Sequence, residues 1–296
     1  MDSSRAASAR GRRKLGAAPF LKWAGGKGQL LELILERFPR EIDGTYVEPF
    51  IGGGAVFFEL ARTERIKRAR LSDANAELVA TYLAVRDDVE EVIRALGAHV
   101  NDEEHYYAVR DLDPAALSPA ARAARTIFLN RVGFNGLYRV NSKGRFNVPF
   151  GRYKNPKICD PEGLRGASRA LAIADIAVAD FEETCRDVAE GDVVYLDPPY
   201  VPTSKTANFT AYSGRFDEAE HRRLAATFAR LADLGAFVLL SNSDTPLSRE
   251  LYAGFKIATV EATRLINSKV DGRGAVSEVL VQGLRVGRRR GAALTA

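Results

Sequence analysis

The chain has 296 residues, 46% of them apolar, with a net charge of +5, two cysteines and three histidines. That length and composition suit one large core or two smaller ones. Cys159 and Cys185 stand apart without CxxC spacing, which argues against a disulfide framework or structural zinc. No apolar run approaches membrane-spanning length, and "MDSSRAASARGRRK" lacks a secretory core, so a reducing cytoplasmic setting is expected.

Residues 1–16 read as a flexible basic tail, with five Arg/Lys against one Asp over residues 1–14. "KGQLLELILERFP" has the pattern of an amphipathic helix ending at Pro39. "TYVEPF" is a strand, "IGGGAVFFELAR" a glycine turn feeding a helix, and "RARLSDA" a second strand ending in Asp73. This strand–turn–helix–strand order opens a doubly wound α/β sheet. Residues from about 75 to 130 are rich in Ala, Leu and charge with helical periodicity, a helical insert. The next stretch, 131–157, carries seven Arg/Lys and no acid. It interleaves them with Phe134, Tyr138, Phe146, Phe150 and Tyr153, and "NSKG" between "LYRV" and "RFNVPF" predicts a β-hairpin. The sheet resumes with "LAIADIAVAD", "DVVYLD", "AFVLLSN" and "FKIATV". "RLINSKV" and "SEVLVQG" read as a closing pair of strands, and residues 285–296 as a second basic tail. One concentrated basic segment and two basic tails on an acidic body is the distribution of a polyanion contact.

Gly52, Gly53 and Gly54 lie between a strand and a helix, where glycine permits positive φ and close approach of a ligand to the backbone. Asp73, at the next strand end, is placed to accept hydrogen bonds from ribose hydroxyls. Phe57 stands where GxGxxG needs its last glycine, so a nucleoside cofactor without pyrophosphate, S-adenosylmethionine, fits better than a dinucleotide. A purely structural turn with a solvent-facing Asp73 is the alternative. "KWAGGKGQL" fails the phosphate-loop pattern, because Gly28 follows Gly26-Lys27. Trp23, the only tryptophan, is either core or a wall of the cofactor pocket, with Lys27 near the cofactor carboxylate.

"GDVVYLDPPYVP" ends a buried strand in an acid, two prolines and a tyrosine. An exocyclic amine such as adenine N6 is a poor nucleophile, because its lone pair is delocalised into the ring. Two acceptors aimed at its N–H bonds would localise that pair: the Asp197 carboxylate and the Pro198 carbonyl. The prolines keep competing donors away, and Tyr200 offers a face for stacking the base. A sulfonium methyl is already activated, so positioning and electrostatics suffice and neither a metal nor a catalytic His is expected. A strand-terminating Asp-Pro turn is the alternative.

With these residues in view, the chain resembles the Dam-type DNA adenine-N6 methyltransferases over most of residues 19–283. "KWAGGK", "VEPFIGGGAVF", "LSDAN", "FNGLYRVNSKGRFNVPFGRYKNP" and "VVYLDPPY" occur in that family's order. The resemblance implies a Rossmann-like methyltransferase domain at 17–76 and 168–284, with an inserted target-recognition domain at 77–167. It implies that Trp23, Lys27, Gly52, Gly54, Asp73, Asp180, Phe181 and Asp197 bind S-adenosylmethionine. Asp197, Pro198 and Tyr200 would form the catalytic motif. The partner implied is double-stranded DNA, contacted by Lys22, Phe134, Asn135, Leu137, Arg139, Pro149, Arg152 and Lys154. Lys157 would add a further phosphate contact. Leu137, Arg139, Pro149 and Lys22 match relatives that recognise GATC, and Phe134 stands where some relatives have tyrosine. A nucleoid-associated monomer without metal or membrane is expected. Amino-methylation of RNA or of a protein glutamine is the second enzymatic reading, and a DNA-binding module without catalysis the third.

Overall fold

A computed structural model describes residues 16–23, 27, 30–203, 216–263 and 275–285. In chain order the elements are α1 (Leu31–Leu35), β1 (Tyr46–Glu48), α2 (Ala55–Arg62), β2 (Ala69–Asp73), α3 (Ala76–Asp87), α4 (Val89–Gly97), α5 (Glu103–Asp111) and α6 (Pro119–Val132). They continue with α7 (Pro161–Leu171), β3 (Ala174–Val178), α8 (Phe181–Thr184), β4 (Val193–Leu196), α9 (Glu218–Asp233), β5 (Phe237–Ser243), α10 (Pro246–Leu251), β6 (Phe255–Thr263) and β7 (Ala275–Arg285). Side-chain caps set many helix starts: Asn75 on α3, Asp102 on α5, Ser118 before Pro119 on α6, and Asp217 on α9.

The strands form one seven-stranded sheet in the order β3-β2-β1-β4-β5-β7-β6. β1 to β5 pair in parallel, and β7 runs antiparallel between β5 and β6. β1, β2, β4 and β5 are largely buried on both faces, with side chains alternating between two cores, whereas the edge strand β3 is mostly exposed. Tyr46, Tyr195, Leu239 and Leu280 face α1, α2, α3 and α7. Val47, Val194, Leu240 and Val281 face Leu224, Phe228 and Leu231 of α9. The first core continues without a break into the helical block through Val92, Tyr106 and Phe128. The chain steps outward from β1 to β2 and β3, then returns to lay β4 on the other side of β1. That reversal puts a crevice at the carboxyl ends of β1 and β4, where open α/β sheets bind ligands.

Two expectations change. Regular helix at "KGQLLELILERFP" spans only Leu31–Leu35 among the described residues, since Leu30 gives it no side-chain cap. "SEVLVQG" lies within β7, which is inserted in the sheet rather than closing it and pairs with β5 on one side and with β6, which contains "FKIATV", on the other. "RLINSKV" lies outside the described residues, as do 1–15 and 286–296 of the basic tails. The hairpin of 139–147 is held by a single bridge, Val140 with Phe146, and by backbone bonds from Asn141 to Arg145 and from Asn147 to Arg139. Its turn closes on Gly144 at φ +73°. Tyr106 Oη, donating to the Val148 carbonyl at 3.0 Å, and Asn101 Nδ2, donating to the Tyr153 carbonyl at 2.7 Å, tie this segment to the helices. Among the described residues no helix is long and apolar enough to cross a membrane.

Candidate active site

β4 ends at Leu196, and Asp197 emerges directly into the crevice between β1 and β4. Its Oδ1 accepts from Ser241 Oγ on β5 at 2.7 Å and pairs with Lys27 Nζ at 2.8 Å. Both contacts fall on one oxygen, so the carboxylate is oriented as well as neutralised. Pro198 is buried behind it. Tyr200 Oη donates to Glu278 Oε2 of β7 at 2.9 Å, and Lys27 Nζ lies 4.7 Å from the centre of its ring. Val201 N–H donates to Asn242 Oδ1 at 2.9 Å, which fixes the chain as it leaves the motif. Lys27, expected beside a cofactor carboxylate, thus sits on Asp197 and over Tyr200.

The glycine turn needs its glycines: Gly52 and Gly54 have φ of +47° and +69°. A Cβ on Gly52 would lie 2.8 Å from Trp23 Cδ1, so the indole lies directly on the turn. Gly52 N–H donates to Asp73 Oδ2 at 3.2 Å, and Asn75 N–H donates to Asp73 Oδ1 at 2.9 Å. Asp73 is buried rather than solvent-facing, and burial pushes its carboxyl up to about 6 against those two donors. Glu48, at the end of β1, was not singled out from the sequence. It is buried, accepts from Tyr46 Oη at 2.9 Å, and is pushed up to about 8 by burial, with the Asp197 charge adding to the rise. Both carboxyls face the same crevice end of the sheet as Asp197.

Asp180 caps α8 through Glu182 N–H and takes a two-pronged ion pair from Arg223, both contacts at 2.8 Å. Arg223 also covers the Phe181 ring at 4.2 Å. Phe181 stacks on Phe50, which follows β1, at 5.6 Å. Phe181 is thus packed into the second core beneath Arg223, beside Phe50 at the end of β1.

The basic segment packs beside the turn. Asn130 bonds both the N–H and the carbonyl of Lys22 at 2.7 Å and the Gly136 carbonyl at 2.9 Å. Lys22 Nζ lies 4.8 Å from the Tyr153 ring centre. Asn135, at φ +55°, donates its N–H to Tyr153 Oη. A cavity of about 570 Å³ runs from Trp23, Lys27 and Gly53 to Lys22, Asn135 and Leu137. Phe134 is 49% exposed at the tip of this surface. Arg139, Pro149, Arg152 and Lys154 are exposed as well, with Arg139 steadied by Asn147. Ser241, Glu278 and Asn75 also belong to the site and were not assigned from sequence, and Tyr138 packs behind it against Trp23. "LLSNS", a polar run ending an apolar strand, carried the same signal as "VVYLDPP".

The model of the D12 class N6 adenine-specific DNA methyltransferases matches residues 23–266. The chain is 44% identical over 277 residues to Type II methyltransferase M1.LlaDCHI of Lactococcus lactis subsp. cremoris, covering 90% of this chain and 96% of that one. It is 42% identical over 283 residues to Type II methyltransferase M.MjaIII of Methanocaldococcus jannaschii, covering 89% and 98%. It is 38% identical over 266 residues to the DNA adenine methylase of Escherichia coli K12, covering 88% and 93%. An acid at the tip of β4, a glycine turn after β1 and a basic segment beside them thus occur in a chain that belongs to the D12 class N6 adenine-specific DNA methyltransferases, and it is an adenine-specific DNA methyltransferase.

Proposed function

We propose that the chain transfers a methyl group from S-adenosylmethionine to adenine N6 within GATC in duplex DNA, after the base has left the helix for the Asp197–Tyr200 crevice. The observation that carries this reading is the Asp197 carboxylate, held at the switch point of the sheet by Ser241 and Lys27. The cofactor supplies an activated methyl when bound. The residues present fit it: Asp73 is a buried acceptor with both oxygens oriented by backbone N–H groups, beside a turn that a Cβ would fill. Asp73 would take the ribose hydroxyls, Trp23 would wall the pocket along Gly52 and Gly54, and Asp180 with Phe181 would take the cofactor's adenine. Asp197 and the Pro198 carbonyl would accept from the two N–H bonds of the target amine, with the base stacked on Tyr200.

Residues 77–167 would carry target recognition. Extrusion of the base costs a few kcal/mol. Phosphate contacts from Arg152, Lys154 and Lys157, with Asn135 beside them, would supply affinity, and Phe134 would fill the gap left in the stack. Arg139 would read guanine in the major groove, a pairing worth roughly 1–3 kcal/mol of discrimination, with Lys22, Leu137 and Pro149 around the same bases. The test is to incubate the purified chain with unmethylated genomic DNA and S-adenosylmethionine and map N6-methyladenine by single-molecule sequencing, with Asp197→Ala as the inactive control. Modification confined to GATC is expected. A different motif would retire the recognition assignment. No modification, with cofactor bound, would turn the search to RNA or protein substrates.

A further inference from the structure

Tyr138 lies between Leu137 and Arg139 in the recognition segment, yet its side chain is turned toward the glycine turn. Its ring stacks on Trp23 at 5.5 Å and 27°, with its other contact edge-on to Phe146 at 5.7 Å. Trp23 in turn lies on Gly52, whose N–H holds Asp73 Oδ2. The Asn75 side chain lies beside the Tyr138 hydroxyl and favours its ionised form, against the burial that raises it. Asn75 holds the other Asp73 oxygen through its own N–H, and its Oδ1 accepts from the N–H groups of Glu77 and Leu78 to start α3. Two routes, one through stacked rings and one past the adjacent Asn75 side chain, therefore run from a single tyrosine to the two oxygens of one buried carboxylate.

We propose that Tyr138 is a positioning residue that couples the cofactor pocket to the DNA-recognition segment, so that cofactor and duplex tighten each other's binding. This rests on the reading that Asp73 and Trp23 face the cofactor and that 131–157 faces DNA. A ligand against Trp23 and Asp73 fixes the indole plane and Asn75 together. Those fix Tyr138, and with it the backbone that presents Leu137 and Arg139. The ordering entropy of the segment is then paid once rather than at each binding event. Linkage requires the effect to be reciprocal.

The test titrates the full chain with a labelled duplex carrying its methylation motif, with and without saturating sinefungin, a non-reactive cofactor analogue, and then reverses the two. In the wild type each ligand should raise the other's affinity by at least about fivefold, and by the same factor in both directions. Tyr138→Ala should bring that factor to within about twofold of unity, with each ligand alone still binding within about threefold of the wild type. Tyr138→Phe keeps the ring stack and loses only the hydroxyl, and should at least halve the factor. It carries the test if the alanine variant does not fold. A wild-type factor of one, or an unchanged factor in both variants, would overturn the coupling while leaving the site reading intact. A wild-type chain that bound neither sinefungin nor duplex would overturn the site reading and the coupling with it.

Discussion

Glu48 is a carboxyl shut away from solvent at the end of β1, and its charge state has a consequence for stability. In the unfolded chain it ionises near 4.5, whereas in the folded chain burial and the nearby Asp197 charge hold it protonated to about 8. Between those values the native state binds more protons than the unfolded state, so stability falls as pH rises through that window. The Glu48 contribution is fully present below the unfolded value and gone above the folded one. Glu48→Gln keeps an acceptor for Tyr46 Oη and removes the titration. Its stability should therefore gain on the wild type from pH 5 to pH 8 by on the order of a few kcal/mol at 1.36 kcal/mol per unit, read as a rising melting-temperature difference between the two. Parallel profiles for the two proteins would show that Glu48 is ionised in the fold. Asp73, raised to about 6, acts in the same direction over a narrower window and remains in the variant.

At the scale of elements, the turn between β1 and α2 is the most tightly specified. Gly54 sits at φ +69°, and a Cβ there would meet Tyr82 Oη at 2.9 Å and Phe58 at 3.1 Å. Gly54→Ala should destabilise the protein by about 1–3 kcal/mol from backbone strain alone, read as a lower urea midpoint with unchanged slope. It should also weaken cofactor binding, because Tyr82 Oη donates to the Gly52 carbonyl of the same turn. This turn was legible in the sequence, as were β1, β2, β4 and β5. β1, β2 and β4 each run into a stop signal, "GGG", "DAN" and "DPP", and β5 is an apolar run ending in the polar "SNS". The β6–β7 pairing was misplaced because strand pairing is a long-range property. "FKIATV" and "RLINSKV" offer similar patterns in the sequence, and the partner that β7 takes, β6, is set only in the assembled sheet. The same limit explains the residues that escaped notice. Ser241 reaches Asp197 from the next strand and Glu278 reaches Tyr200 from the strand beyond it, so their roles follow from strand order and not from spacing. The Lys27–Asp197 pair was not legible either, because it joins positions far apart in the chain.

Across the whole molecule, positive charge is gathered on one segment and the termini while the rest is acidic. A DNA contact built this way should depend steeply on salt, through release of counterions from phosphates. Lys154→Ala is expected to weaken duplex binding about equally for all sequences and to lower the salt slope by about 1, whereas Arg139→Ala should relax base preference at a roughly constant slope. Affinity measured from 50 to 300 mM salt on cognate and scrambled duplexes separates the two, and a sequence-dependent loss in Lys154→Ala would count against the division. The other whole-molecule feature is the insertion of β7 between β5 and β6. Its Val279, Leu280 and Val281 are buried in both cores, and its Glu278 holds Tyr200. Strand pairing across the sheet therefore cannot finish while those residues are still inside the ribosome, although β1 to β5 have long since emerged. During synthesis the nascent protein passes through a stage with the β5 edge unpaired, which is the stage at which it most needs shielding from other chains. A premature stop shortly before residue 275 would leave the aspartate and the glycine turn in the chain but Tyr200 without its Glu278 partner, and its product is expected to show no methylation in a DNA methylation assay.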